Sequence, residues 1–193
     1  MARRGKKMIS APAFLGALII STVCSLAGSA LAAAPDLGVF DLRIKDHRDA
    51  IADFSRLQIA VEKILLSRKA GFWRPAWKEF APSTPSFDLT RYSGKTSATI
   101  FRASIEAGSY EAVHVKIQSI DGVLKKPQRN AAVKNTVGPL KLSFAVPARG
   151  ETLLILDLTV TDYSDHPPRG YELEVNGLEL YTDGKLVQKI PPA

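Results

Sequence analysis

The chain of 193 residues holds one cysteine, Cys24, and only three histidines. A lone cysteine excludes an intramolecular disulfide and any cysteine-rich metal site, so the fold must be held by its core. His47, His114 and His166 lie far apart in the chain, which leaves a zinc site with nothing but scattered ligands. There is no Gly-x-Ser-x-Gly elbow to activate a serine nucleophile. "RYSGKTS" ends in the Gly-Lys-Thr of a phosphate loop, but Leu89 stands where the first glycine is needed, five residues before Gly94. No repeat and no low-complexity stretch is present. These absences argue against an enzyme, and no cofactor or metal is expected.

The charge is unevenly placed. "MARRGKKM" carries four basic residues and no acid, an apolar run from Ala11 to Ala27 follows, and small residues close the segment at "GSALAAAPD". Basic end, apolar middle and small-residue close are the order of a secretory signal peptide. Ala30 and Ala32 form the small pair before a cut, so residues 1–32 are expected to be removed, leaving one domain over 33–193. A membrane anchor is the alternative reading. It is weakened by Ser21, Thr22, Ser25 and Gly28, which interrupt a span that would need roughly 20 apolar residues. Arg3-Arg4 is followed by Gly5, Lys6 and Lys7, which favours the general export route over a twin-arginine signal. Val23 precedes Cys24 where lipid attachment wants a small residue, so membrane association is expected only if the leader is retained or Cys24 is lipidated.

Removing Arg3, Arg4, Lys6 and Lys7 takes the basic count from 26 to 22 against 19 acids, and the formal charge from +7 to +3. Nucleic acid is therefore not an expected partner, since phosphate binding needs a clustered basic surface. The nearest approach to one, Lys125, Lys126 and Arg129 around Pro127, reads as a solvated loop. Partners are expected among envelope or extracellular proteins or glycans, in the periplasm or outside the cell.

What the sequence has in quantity is alternation. Phe40, Leu42 and Ile44 alternate with Asp41, Arg43 and Lys45, three apolar side chains on one strand face and three charges on the other. Val113, Val115 and Ile117 alternate likewise, as do Leu140, Leu142, Phe144 and Val146. In "TLLILDLTVT" the row Leu154, Leu156, Leu158 and Val160 is the more apolar, with Leu153, Ile155, Asp157, Thr159 and Thr161 opposite. "AGS", "IDG", "VGP", "ARG", "HPPRG", "VNG" and "TDG" supply turn chemistry between such runs. Short strands at that spacing predict an all-β antiparallel sandwich or barrel. Between Asp46 and Lys69 the pattern fits a helix nearly as well as a strand.

Several segments carry a resemblance. "FDLRIKD", "FSRLQIAVEKILL", "FDLTRYSG", "ASIEAGSYEAVHVKI" and "SFAVPARGETLLILDLTV" stand in the order seen in a family of exported prokaryotic β-sandwich domains of unknown function. The resemblance runs from Leu37 to Tyr181. It implies a strand over Leu57 to Ser67 and a prealbumin-like or immunoglobulin-like fold. Many members carry a lipid-attachment cysteine, and this chain departs from them there.

Four residues stand out as site candidates. Gly108 is expected in a turn, with Tyr110 beyond it packing over the end of the sandwich and its hydroxyl reaching a backbone group. Alternation puts Tyr110 and His114 opposite the Val113 row. In "GFWRPAWKEF", Trp73 and Trp77 share one strand face with Pro75, and could form a platform for a sugar ring or a peptide. Phe72 and Phe80 take the other face, and Pro75 argues for an edge strand. Of the two tryptophans, Trp77 is expected to be the buried one. Asp162, Asp165 and His166 gather oxygen and nitrogen ligands, but without the glycine-bearing loop of a calcium site.

Overall fold

In a computed structural model, the structure describes residues 35–47, 49–69, 76–164 and 169–191. In chain order the strands are β1 (Leu37–Asp46), β2 (Phe54–Arg68), β3 (Ala76–Phe80), β4 (Ser86–Asp88), β5 (Ala98–Glu106) and β6 (Gly108–Leu124). There follow β7 (Asn130–Ala131), β8 (Val133–Asn135), β9 (Leu140–Val146), β10 (Glu151–Asp162), β11 (Tyr171–Thr182) and β12 (Lys185–Ile190). One sheet runs β12-β11-β10-β1-β5 with β8 beside β11; the other runs β3-β2-β6-β7, with β4 on β2 and β9 on β6. The protein is an all-β sandwich of these two sheets. The segment with two readings is settled as strand, since β2 forms a long antiparallel ladder with β6 and only Ala50–Asp53 before it is helical, as a 3₁₀ turn.

Most strand pairs are antiparallel, as the alternation and the turn signals predict, and two are parallel. β1 pairs β10 in parallel, Phe40 opposite Thr152 and Ile44 opposite Leu156, and β8 pairs β11 in parallel. A parallel neighbour requires a long crossover, and most of the domain intervenes between β1 and β10. No short-range signal announces such a pairing.

The inward rows are those the alternation marks. Phe40, Leu42, Ile44, Leu154, Leu156, Leu158 and Val160 are buried from one sheet, facing Leu57, Ile59, Val61, Val113, Val115, Leu142 and Phe144 of the other. Aromatic rings bridge the sheets: Phe144 stacks on Phe40 and on Tyr110, each with centroids 5.3 Å apart. Phe101 continues the row to Phe80 at 5.3 Å.

Two of the glycine signals lie in the interior of strands. "IDG" lies inside β6, where the Phe54 ring occupies the space a side chain on Gly122 would need, its Cε1 2.6 Å from an added Cβ. "VNG" lies inside β11, where Asn176 is the extra residue of a bulge against β10. "TDG" does make the β11–β12 hairpin turn, with φ of 48° at Asp183 and 75° at Gly184.

A bulge also corrects the placing of Tyr110. Against β2, Ser67 faces Ala112 and Arg68 faces Tyr110, so Glu111 is an extra residue of β6. The alternation skips a step there, and Tyr110 enters the core with Val113 and Val115 instead of opposing them. Its hydroxyl donates to the Glu106 carbonyl at 2.7 Å, four residues upstream, across the corner where the chain passes from β5 in one sheet to β6 in the other.

Candidate functional site

Trp77 is the large aromatic that the second sheet turns outward. It lies on strand β3, which among the described residues pairs only with β2 and so forms an edge, and it is 38% exposed. Phe80, three residues on, faces inward against Phe101, as strand alternation requires. The expectation that Trp77 would be the buried tryptophan is therefore corrected: the core beneath β3 is filled by Phe80, which leaves the indole the other face. Trp73 lies outside the described residues.

Register aligns Trp77 with three other strands. Trp77 faces Ser67, Ser67 faces Ala112, and Ala112 faces Lys141, so one row crosses β3, β2, β6 and β9 on the outer surface. Ser67 and Ala112 are small, so the row dips between its bulky ends. Trp77, Ala112 and Pro139, with Glu111 and Lys141, line a groove of about 340 Å³. Its floor is apolar and its rim carries one carboxylate and one ammonium. Glu111 is held in place by the Ser67 hydroxyl, which donates to it at 3.2 Å. Such a surface offers a ring face for stacking, flanked by one acceptor and one donor. His114, two residues along β6, is half-buried, and burial pushes its imidazole pKa down.

The first sheet's outer face carries a different chemistry. The Asp41 carboxylate, fully buried, receives Arg43 and Arg102, each at 2.7 Å, and Arg102 also reaches Glu151 at 2.6 Å. Further along, Lys45 lies 3.2 Å from Asp157 and 3.3 Å from Glu179, while Lys189 lies 3.1 Å from Glu179. The Tyr181 hydroxyl donates to Glu179 at 2.7 Å and, with the two lysines, holds the Glu179 pKa at about 2. These are opposite charges satisfying each other across neighbouring strands, which is structural work.

A pH dependence follows from Glu179. Its folded pKa of about 2 lies below the ordinary 4.5, so its contribution is complete above pH 4.5 and is lost as pH falls toward 2. Glu179→Gln is expected to cost about 1–3 kcal/mol at neutral pH. Denaturant melts of parent and variant should converge near pH 2; an unchanged gap between neutral pH and pH 2 would count against the assignment.

Gly108, expected in a turn, is the first residue of β6 and faces Val146 of β9. Gly108 has φ of 141°, and an added Cβ would stand 2.8 Å from the Arg68 guanidinium. Gly94 of "RYSGKTS" sits in a turn at φ 79°, with Thr96 donating to the Arg91 and Ser93 carbonyls at 3.3 and 3.4 Å. Asp162 accepts from the Ser164 hydroxyl at 2.8 Å and backbone at 3.1 Å; Asp165 and His166 lie outside the described residues. Among the described residues no group of three His, Cys, Asp or Glu side chains is placed to hold a metal ion. No helix among them is long and apolar enough to cross a membrane.

Sequence reasoning found Trp77 but not its neighbours. Ser67, Ala112 and Lys141 come from segments with no motif, and only the register of four strands brings them together.

The fold and its outer surfaces define a two-sheet β-sandwich domain with mixed strand pairing. The chain belongs to the family described as a domain of unknown function, DUF4382, whose model matches residues 37–173. That is the class of family the ordered sequence segments resemble. No curated protein and no solved structure matches the chain.

Proposed function

We propose that this protein is an exported, non-catalytic binding module of the cell envelope or extracellular space, and that it takes a carbohydrate ring on the Trp77 groove. The observation that carries the reading is the outward indole beside Ala112 and Pro139, with Glu111 and Lys141 at the rim to meet hydroxyl groups. An indole left in water on an edge strand costs hydrophobic burial that the core could have used, and a partner that covers it recovers that area. Export is supported by the basic, apolar and small-residue order of the first 32 residues. N-terminal sequencing of protein from the exported fraction should read from Ala33; a start at Met1 would contradict export by cleavage.

Binding is tested by pull-down on insoluble polysaccharides and by a glycan array. Trp77→Ala should abolish retention while the unfolding transition stays cooperative, and Trp77→Phe should keep part of the affinity, since a smaller ring still stacks. Retention by the alanine variant equal to the parent's would place the ligand elsewhere.

A further inference from the structure

Among the described residues, the far end of the sandwich carries more positive than negative charge. Two concavities of about 330 and 270 Å³ meet there and share Leu124, Arg129, Arg169 and Tyr171. The first is lined also by Asp53, Lys126 and Pro127, the second by Tyr163 and Gly170. Of the three cations, Arg169 is engaged: it pairs with Asp53 and lies 3.5 Å from Asp162. Asp53 is occupied in turn, since it also accepts from the Tyr171 hydroxyl at 3.0 Å. Lys126 and Arg129 have no ion-pair partner among the described residues. Among the described residues, three cations thus meet two carboxylates, Asp53 and Asp162, and both acids are taken by Arg169, which leaves Lys126 and Arg129 as the cations without an ion pair.

These two cations stand on a fixed loop. The Leu124 N–H donates to the Arg129 carbonyl at 2.9 Å, closing the segment, and the Lys125 N–H donates to the Asp53 carbonyl at 2.8 Å. The Lys125 ammonium is turned away to the Ala52 carbonyl, at 2.9 Å. A backbone held this way need not be ordered again when a ligand binds.

Beside the cations lies a positioned ring. Tyr163 is 61% exposed, yet it is not loose: its N–H donates to the Gly170 carbonyl at 3.0 Å. A Cβ added at Gly170 would fall 2.5 Å from Cζ and 2.7 Å from Cε2 of that ring. The ring therefore rests on bare backbone, and the glycine is what allows it to lie there.

We propose that this end of the sandwich is a second binding site, for an acidic saccharide: a sugar carboxylate held by Arg129 and Lys126, with the ring of that sugar or its neighbour packed on Tyr163. A guanidinium matches a carboxylate in plane and charge, and an ammonium adds a point charge beside it. A bare anion has no use for Tyr163, and a neutral sugar has none for two cations that are unpaired among the described residues; an acidic sugar uses both. The site is separate from the Trp77 groove. From Ala112 to Leu124, β6 runs roughly 40 Å at ~3.3 Å per residue, so the two surfaces lie at opposite ends of one strand.

The test is calorimetric titration of the full chain with a uronic-acid trisaccharide, a neutral trisaccharide of the same linkage, and inorganic sulfate. The uronate should bind at least about tenfold more tightly than the neutral sugar, and more weakly as salt is raised. Lys126→Gln combined with Arg129→Gln should lower its affinity about tenfold or more at an unchanged melting temperature. Tyr163→Ala should weaken the uronate and leave sulfate unaffected, and Trp77→Ala should change neither. Equal binding of the neutral sugar, full binding by the double variant, or no uronate binding at low salt would each overturn the proposal. Sulfate binding as tightly as uronate, with Tyr163→Ala silent, would overturn the saccharide assignment and leave an adventitious ion only.

Discussion

Phe144→Ala should lower the stability of the domain by ~3–5 kcal/mol, and its melting temperature by on the order of 10 °C. The ring is 6% exposed and stands at the junction of the sheets. It stacks on Phe40 at an interplanar angle of 20° and on Tyr110 at 14°. Truncation removes both contacts and opens a cavity between β1 and β9, and neither β1 nor the β6 strand that carries β9 can move inward without breaking its ladders to its neighbours. Phe144→Leu keeps most of the volume and should cost far less. Differential scanning calorimetry decides the matter; an alanine variant that melts with the parent would mean that the two sheets do not pack through this row.

Gly108→Val should be the most damaging single change at the surface. The backbone there has φ of 141°, a conformation side chains rarely adopt, which alone costs ~1–3 kcal/mol. The added Cβ would also press on the Arg68 guanidinium at 2.8 Å. That group is committed, since it pairs with Glu106 and donates to the Ala107 carbonyl at 3.2 Å. Glu106 in turn offers the carbonyl that anchors Tyr110, so strain at Gly108 reaches the corner between the sheets. Gly108→Ala should shift denaturant midpoints in the same direction by less. Equal midpoints for parent and Gly108→Val would remove the corner from the account.

Much of the sandwich is legible in the chain because side-chain direction has period two. Phe40, Leu42 and Ile44 declare a core face and Asp41, Arg43 and Lys45 the opposite one, and both rows point where the alternation puts them, although Arg43 and Arg102 bury Asp41 on that outer side. Where the period breaks, local reading fails. Glu111 and Asn176 are single extra residues with ordinary side chains, and nothing in their chemistry marks a bulge; the first turns Tyr110 from the outer face to the core. Gly122 and Gly177 carry a turn-forming residue type but serve within strands, Gly122 because the Phe54 ring needs its missing side chain.

The candidate groove shows the same division. That one of Trp77 and Phe80 faces out follows from their spacing, but which one does depends on the ring of Phe101 that waits beneath β3. Ser67, Ala112 and Lys141 become its neighbours only through the register of β2, β6 and β9, a long-range property that no window of sequence contains. The cationic end was visible as "LKKPQRN", but a solvated loop and a binding loop share that composition. What separates them is the ring of Tyr163, brought alongside from the far end of β10.

The outward Trp77 is the centre of the functional reading, and fluorescence of a Trp73→Phe protein isolates it. With Trp77 as the sole indole, a neutral quencher should reach it in the free protein, and a polysaccharide that the protein retains should protect it, at a melting temperature close to the parent's. An indole that the quencher cannot reach in the free, folded protein would contradict the account, because the groove would then have no exposed ring on which a ligand could rest.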